Sequence, residues 1–149
     1  MGGQINFKIM LADDDMDDRD LFTEAASSHN VTVEVASNGL ELMDALHKTT
    51  ELPCCVFLDL NMPEKGGKEC LEEIRKDTRL SKLLVVIYST SSSRKDIEDT
   101  FALGANLYVV KPSSFAKIRE TIASILNINW KMYPPNADKD SFVFYDRTS

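Results

Sequence analysis

The chain has no apolar stretch near the roughly 20 residues that a bilayer-crossing helix needs, and its amino terminus carries no charged-then-apolar leader. It has only 3 cysteines, an odd number, and Cys54 adjoins Cys55 inside an apolar run. That is the pattern of buried free thiols in a reducing compartment, not of a disulfide framework. Basic charge is in deficit, 17 Lys and Arg against 24 Asp and Glu for a net charge of -7. Nothing there would neutralise a phosphate backbone, so nucleic acid is excluded as an expected partner. These absences predict a cytoplasmic protein with neither a membrane nor a nucleic-acid partner. Its 149 residues suffice for one domain with a full core.

What the chain does have is acid, concentrated in one place. "MLADDDMDDRD", residues 10–20, sets six aspartates between Asp13 and Asp20, directly after the apolar run Phe7 to Ala12. Like charges so close repel unless a cation or proton sits among them. The stretch therefore predicts either a metal site or a very acidic helix start. An acidic first turn suits the helix dipole, and on that ground Asp15, Asp17 and Asp18 read as capping and surface residues.

Short β-rich runs alternate with helical spacing along the chain. The runs are "FKIMLA" (7–12), "VTVEVA" (31–36), "CCVFLDL" (54–60), "LLVVIYS" (83–89) and "NLYVV" (106–110). Between and after them, apolar residues recur at intervals of three and four: Leu21, Phe22, Ala25; Leu42, Met43, Leu46; Cys70, Leu71, Ile74; Ile97, Phe101; Ile118, Ile122, Ile125. The third and fourth runs are almost continuously apolar, as strands covered on both faces must be, while the second alternates like a strand nearer an edge. "SNG" at 37–39 resembles a hairpin turn, but the helical spacing that follows and Glu41 three residues after Asn38 make it a helix start. The prediction is an α/β fold: a doubly wound, flavodoxin-like parallel sheet of five strands with helices on both faces.

Such sheets bind ligands beyond the carboxyl ends of their strands, near the reversal of strand order. The first run ends in Asp13 and Asp14, the third reaches Asp59, the fourth ends in Ser89 and Thr90, and the fifth in Lys111-Pro112. Taken singly each is weak, Asp59 as readily a loop cap as a functional group. Together they bring three carboxylates, a hydroxyl and an amine to one edge. An oxygen-only ligand set favours a hard divalent cation such as Mg2+.

The pieces "IMLADDD", "VFLDLNMP", "VVIYSTSS" and "LYVVKP", in that order and spacing, resemble the receiver domain of two-component response regulators, over about residues 5–126. The resemblance implies strand order 2-1-3-4-5 and a phosphoryl group accepted on Asp59 from the phosphohistidine of a sensor or hybrid histidine kinase. It implies Mg2+ held by Asp13, Asp14, Asp59 and the backbone carbonyl of Asn61. Ser89 would bond a phosphoryl oxygen, Lys111 would pair with the phosphoryl group, and Tyr108 would turn inward as Ser89 moves. Asn61 and Ser91 hold the positions that tune phosphoryl lifetime, and neither is acidic. The implied protein is a switch, not an enzyme, with at most slow self-dephosphorylation. It is similar to phytochrome-type single-domain regulators.

Two departures from the family pattern carry expectations of their own. Gly66 stands where a polar cap is usual, which predicts a looser loop before the third helix. Thr90 stands where a small residue is common, and its branched side chain is expected to hinder the inward turn of Tyr108.

Rival classes fit less well. An aspartate-nucleophile Mg2+ phosphatase shares the strand-end Asp, but Met16 and Asp17 break its motif and the length leaves no room for a cap domain. A flavodoxin-like electron carrier would see its flavin phosphate repelled by the aspartates. A binding module without phosphotransfer has no need of both Asp59 and Lys111.

The 23 residues after Leu126 are too few for an output domain, which predicts a stand-alone receiver acting by protein contact. This extension, residues 127–149, holds Trp130, Tyr133, Phe142, Phe144 and Tyr145, five of the twelve aromatics. That is too apolar for a freely solvated segment. Pro134-Pro135 stops any continuation of the last helix, and "SFVFYD" reads as a short extended piece with Phe142 and Phe144 on one side. Two arrangements are open: a tail folded back on its own domain, or an arm that builds a homodimer through the face of the fourth and fifth helices.

Overall fold

A computed structural model describes residues 7–128, 133–136 and 138–144. The predicted alternation is present throughout: β1 (Phe7–Ala12), α1 (Met16–Ala26), β2 (Val31–Ala36), α2 (Gly39–Lys48), β3 (Cys55–Leu58), α3 (Gly67–Lys76), β4 (Val85–Ser89), α4 (Arg94–Leu103), β5 (Leu107–Val110) and α5 (Phe115–Leu126). Every pairing among these strands is parallel, in the order β2-β1-β3-β4-β5. The fold is flavodoxin-like, as expected.

The period-2 alternation of each strand divides the core in two. Met10, Val56, Leu58, Val85, Ile87 and Tyr108 face α2, α3 and α4, where Leu42, Leu46, Leu71 and Ile74 meet them. Ile9, Leu11, Phe57, Val86, Tyr88 and Val109 face α1 and α5, against Phe22, Ala25, Ile118, Ile122 and Ile125. Phe22, Phe57 and Tyr88 meet edge to face there, with ring centroids 4.9 to 5.9 Å apart.

Local chemistry sets the helix starts. Asp15, Asn38, Ser93 and Ser114 each cap a helix by accepting a backbone N–H from its first turn. "SNG" is a helix start, with Glu41 reaching back to the N–H of Ser37 at 2.9 Å. α3 begins at Gly66 without a side-chain cap, as the sequence suggested. The loop before it is nevertheless tied down, by the Gly67 N–H on the Leu60 carbonyl at 3.0 Å and by an ion pair between Lys65 and Glu73. Gly67 is required by close approach: a Cβ there would lie 2.3 Å from the Asp59 carbonyl oxygen.

Three expectations need correction. Cys54 is exposed, because the strand begins only at Cys55; all three thiols are free, and Cys55 and Cys70 are buried. The sheet has a sixth strand, β6 (Val143–Phe144), parallel to β5 and preceded by one helical turn, α6 (Lys139–Phe142). Because the chain is helical up to Phe142, only two residues are extended, and the two phenylalanines do not share a side. Phe142 joins the α2–α4 core while Phe144 packs on the α1–α5 core.

The described part of the extension thus lies against its own domain. Asn106 links it to the fold, accepting from the Val85 N–H and from Arg75 and donating to the Tyr133 carbonyl at 3.0 Å. Asn136 donates to the Phe101 and Ala102 carbonyls at the end of α4, at 2.6 and 3.2 Å. Trp130 and Tyr145, two of the five aromatics of the extension, lie outside the described residues, as does the expected domain start at residue 5.

Candidate functional site

The six crowded aspartates separate into different environments. Asp13 follows β1 and is fully buried, and its Oδ1 accepts the Asp15 N–H at 3.0 Å. Asp14 is exposed beside it. Asp15 is the α1 cap, and Asp17 and Asp20 face solvent. Asp18 departs from its expected capping and surface role: its Oδ2 lies 2.8 Å from the Lys111 ammonium. A sequence signal for this existed, since Asp18, Phe22 and Ala25 follow the i, i+4, i+7 rule and share the core-facing stripe of α1.

Asp59 stands at the end of β3, its N–H on the Ala12 carbonyl at 2.9 Å. Oδ1 accepts the Leu60 N–H at 2.8 Å, and Oδ2 lies 3.3 Å from Lys111 Nζ. Burial, reinforced by the charge of Asp13 and opposed by Lys111, pushes the Asp59 carboxyl up to about 6. Lys111 follows β5, its N–H on the Ser89 carbonyl at 2.8 Å, and its side chain is only 9% exposed. Burial works to lower its pKa, but the pairing with Asp13 and Asp18 and the charge of Asp59 outweigh it, so the ammonium stays firmly protonated. It also lies 5.7 Å from the centroid of the Tyr88 ring.

The donor set fits a hard cation. Carboxylate oxygens of Asp13, Asp14 and Asp59 lie within 4.8 Å of one another. Asp13 Oδ2 is buried and accepts no hydrogen bond; Lys111 is at ion-pair distance, 2.8 Å, without the alignment of one. An orphaned carboxylate oxygen beside two further carboxylates fits a hard cation such as Mg2+.

The residues expected to carry a switch are placed as follows. Ser89 is buried at the end of β4, its Oγ accepting the Ser91 N–H at 3.1 Å. Tyr108 is fully buried, and its hydroxyl donates to the Ser91 carbonyl at 2.7 Å. Thr90 is exposed, so its branched side chain does not keep Tyr108 out. Asn61 is exposed in the loop after β3. Ser91 Oγ donates to Asp96 at 2.6 Å, and Asp96 pairs with Lys68 of α3 at 2.8 Å. This link from the β4–α4 loop to α3 went unread in the sequence, because its members are ordinary surface residues in one dimension.

Fold and site together define a doubly wound α/β protein with an acidic trio and a largely covered lysine where β1 and β3 part. The family model of the response regulator receiver domain matches residues 9–123, and the chain belongs to that family. It is 28% identical over 124 residues to response regulator Rcp1 of Synechocystis, covering 78% of this chain and 84% of that one. A probable methanogenesis regulatory protein, FilR2 of Methanothrix harundinacea, is 34% identical over 85 residues; the match covers 56% of this chain and 55% of that protein, so the chain spans about half of it. Among solved structures, the phosphorylated cyanobacterial phytochrome response regulator RcpA superposes with a TM-score of 0.75 at 30% identity, over 81% of this chain and 91% of that one. The Mn2+-bound form of Rcp1 gives 0.75 at 26% identity, over 81% and 95%. The chain is therefore a receiver domain of the two-component type, a family of phosphorylation-dependent signalling domains. Among the described residues no helix is long and apolar enough to cross a membrane.

Proposed function

We propose that Asp59 accepts a phosphoryl group from the phosphohistidine of a sensor or hybrid histidine kinase, and that the phosphorylated domain signals by protein contact in the cytoplasm. The observation that carries this reading is the buried Asp59 carboxylate, grouped with those of Asp13 and Asp14 and with the Lys111 ammonium 3.3 Å from its Oδ2. An Asp59 oxygen forms the new bond to phosphorus while the phosphorus–nitrogen bond to the kinase imidazole breaks, and that nitrogen keeps the electron pair. Asp13, Asp14, Asp59 and the Asn61 carbonyl would hold Mg2+, which supplies charge neutralisation among the carboxylates and on the phosphoryl oxygens. Lys111 provides the second cation for a group that brings roughly -1.5 to -2. Ser89 donates its hydroxyl to a phosphoryl oxygen. That movement draws on the Ser91 segment, to which Tyr108 is bonded, and so reaches the surface of α4, β5 and α5.

The reading includes a homodimer through the α4–α5 face, in which residues 138–144 make on a second copy the contacts that they make here on their own domain. The intact chain should then sediment as a dimer, and the dimer fraction should fall when residues 128–149 are removed, with labelling at Asp59 intact. A monomer at high concentration, with and without beryllofluoride, sinks the dimer and leaves the phosphoacceptor untouched. For the acceptor itself, Mg2+ and a small phosphodonor should place one acid- and base-sensitive phosphoryl group on the chain, abolished by Asp59→Asn and by chelation. Label that survives Asp59→Asn would overturn it.

A further inference from the structure

The Lys111 ammonium has three protons and three carboxylates around it: Asp13 and Asp18 at 2.8 Å and Asp59 at 3.3 Å. Two of these belong to the acidic trio. The third, Asp18, lies outside it, on the first turn of α1, with its side chain one-third exposed. Its place is fixed from both ends: its N–H is held by the cap residue Asp15 at 3.2 Å, and α1 is seated by Phe22 and Ala25 in the core.

We propose that Asp18 is a positioning residue that acts through Lys111 as a brake on the phosphoacceptor site, holding the ammonium toward α1 so that it must be given up before Lys111 can fully engage a phosphoryl oxygen on Asp59. This rests on the phosphoacceptor reading above. An ammonium hydrogen-bonded to a carboxylate has part of its charge already neutralised and one of its three donors occupied. With donors on Asp18 and Asp59 and the ammonium drawn to Asp13 at ion-pair distance, the charge of Lys111 is shared among three carboxylates, and a phosphoryl group that engages it must compete with each of them. The contacts to Asp13 and Asp59 have an outlet in the reaction itself, since Asp13 would hold the cation and an Asp59 oxygen becomes bonded to phosphorus. Among the described residues Asp18 has no other ion-pair partner, so its hold on Lys111 opposes phosphorylation directly. The same contact is a bridge between α1 and β5, and its release would loosen the first turn of α1 when the site is filled.

The test compares Asp18→Asn with Asp20→Asn, which removes the same formal charge from an exposed position of α1. Binding of beryllofluoride in saturating Mg2+, followed by 19F NMR or calorimetry, should tighten about fivefold to tenfold in Asp18→Asn and stay within about twofold in Asp20→Asn. The Mg2+ affinity measured alone should not rise in either variant, a split that general loosening of the helix would not produce. Unchanged or weaker beryllofluoride binding in Asp18→Asn would overturn the brake, and so would an equal gain in Asp20→Asn, which would make the effect one of net charge. Should the wild-type chain bind no beryllofluoride and take no label at Asp59, the phosphoacceptor reading itself fails. A wild-type chain that binds it with the same affinity as Asp18→Asn removes the brake alone.

Discussion

The pocket at the strand ends and the strap at the sheet edge have opposite relations to the stability of the fold. In the pocket Asp13, Asp59 and Lys111 are buried charges, one carboxylate oxygen has no hydrogen bond, and Asp59 is held away from its ordinary acidity. Such an arrangement opposes folding and is relieved by a ligand. At the edge, Phe142 is buried between Phe101 and Tyr108, with ring centroids 5.2 and 6.1 Å away, and β6 pairs with β5. That arrangement contributes to folding and covers backbone groups that would otherwise be open to strand addition. Substitutions in the two regions should therefore move stability in opposite senses.

The largest effect is expected at the strap. Phe142→Ala removes a ring that is 3% exposed, and burial of that kind is ordinarily worth about 3–5 kcal/mol. Because the strap lies at the edge of the sheet, where local opening is easiest, the global loss should be lower, about 2–4 kcal/mol by denaturant titration. Amide exchange should rise first along β6 and the facing edge of β5. Label at Asp59 should be unchanged, since the pocket lies at strand ends that Phe142 does not touch. A Phe142→Ala chain that lost its label would show that strap and pocket are one cooperative unit.

The two regions also differed in how well they could be read from the sequence. β1 and β2 were legible to the residue, because both the apolar run and its flanking breakers mark the ends, and the pocket was legible because each member is a chemically distinctive residue directly after a strand. Asp18 was misassigned because an acidic first turn has a sufficient local explanation; only the stripe it shares with Phe22 and Ala25 contradicts it. The strap was recognised as too apolar for solvent, but its pairing could not be read. Two extended residues carry no period, and the side of the sheet taken by Phe142 depends on a cavity lined by Phe101 and Tyr108 from distant segments. The Arg75–Asn106–Tyr133 connection is of the same kind, a set of long-range hydrogen bonds among residues with no local pattern.

The smaller effect belongs to the pocket and has the opposite sign. Asp59 has a pKa of about 6 in the folded chain against an ordinary carboxyl value near 4, with burial as the main cause. Below both values the group is protonated whether the chain is folded or not, and it contributes no pH dependence. Between them the folded state keeps a proton that the unfolded state has lost, so stability falls as pH rises through that window and the full cost is present above it. Asp59→Asn, which keeps the shape without the charge, should therefore stabilise the metal-free protein at pH 7.5, by about 1–2 kcal/mol once the adjustment of water at the pocket mouth is allowed for. The gain should vanish toward pH 4. Added Mg2+ should reverse the order, because the cation stabilises the ionised trio and has less to hold in the variant. Thermal melts of both proteins in chelator across pH 4–8, repeated in Mg2+, measure all three statements. A wild-type chain more stable than Asp59→Asn at pH 7.5 in chelator would mean that Lys111 compensates the buried carboxylates fully, and that the contrast between a strained pocket and a stabilising strap does not hold.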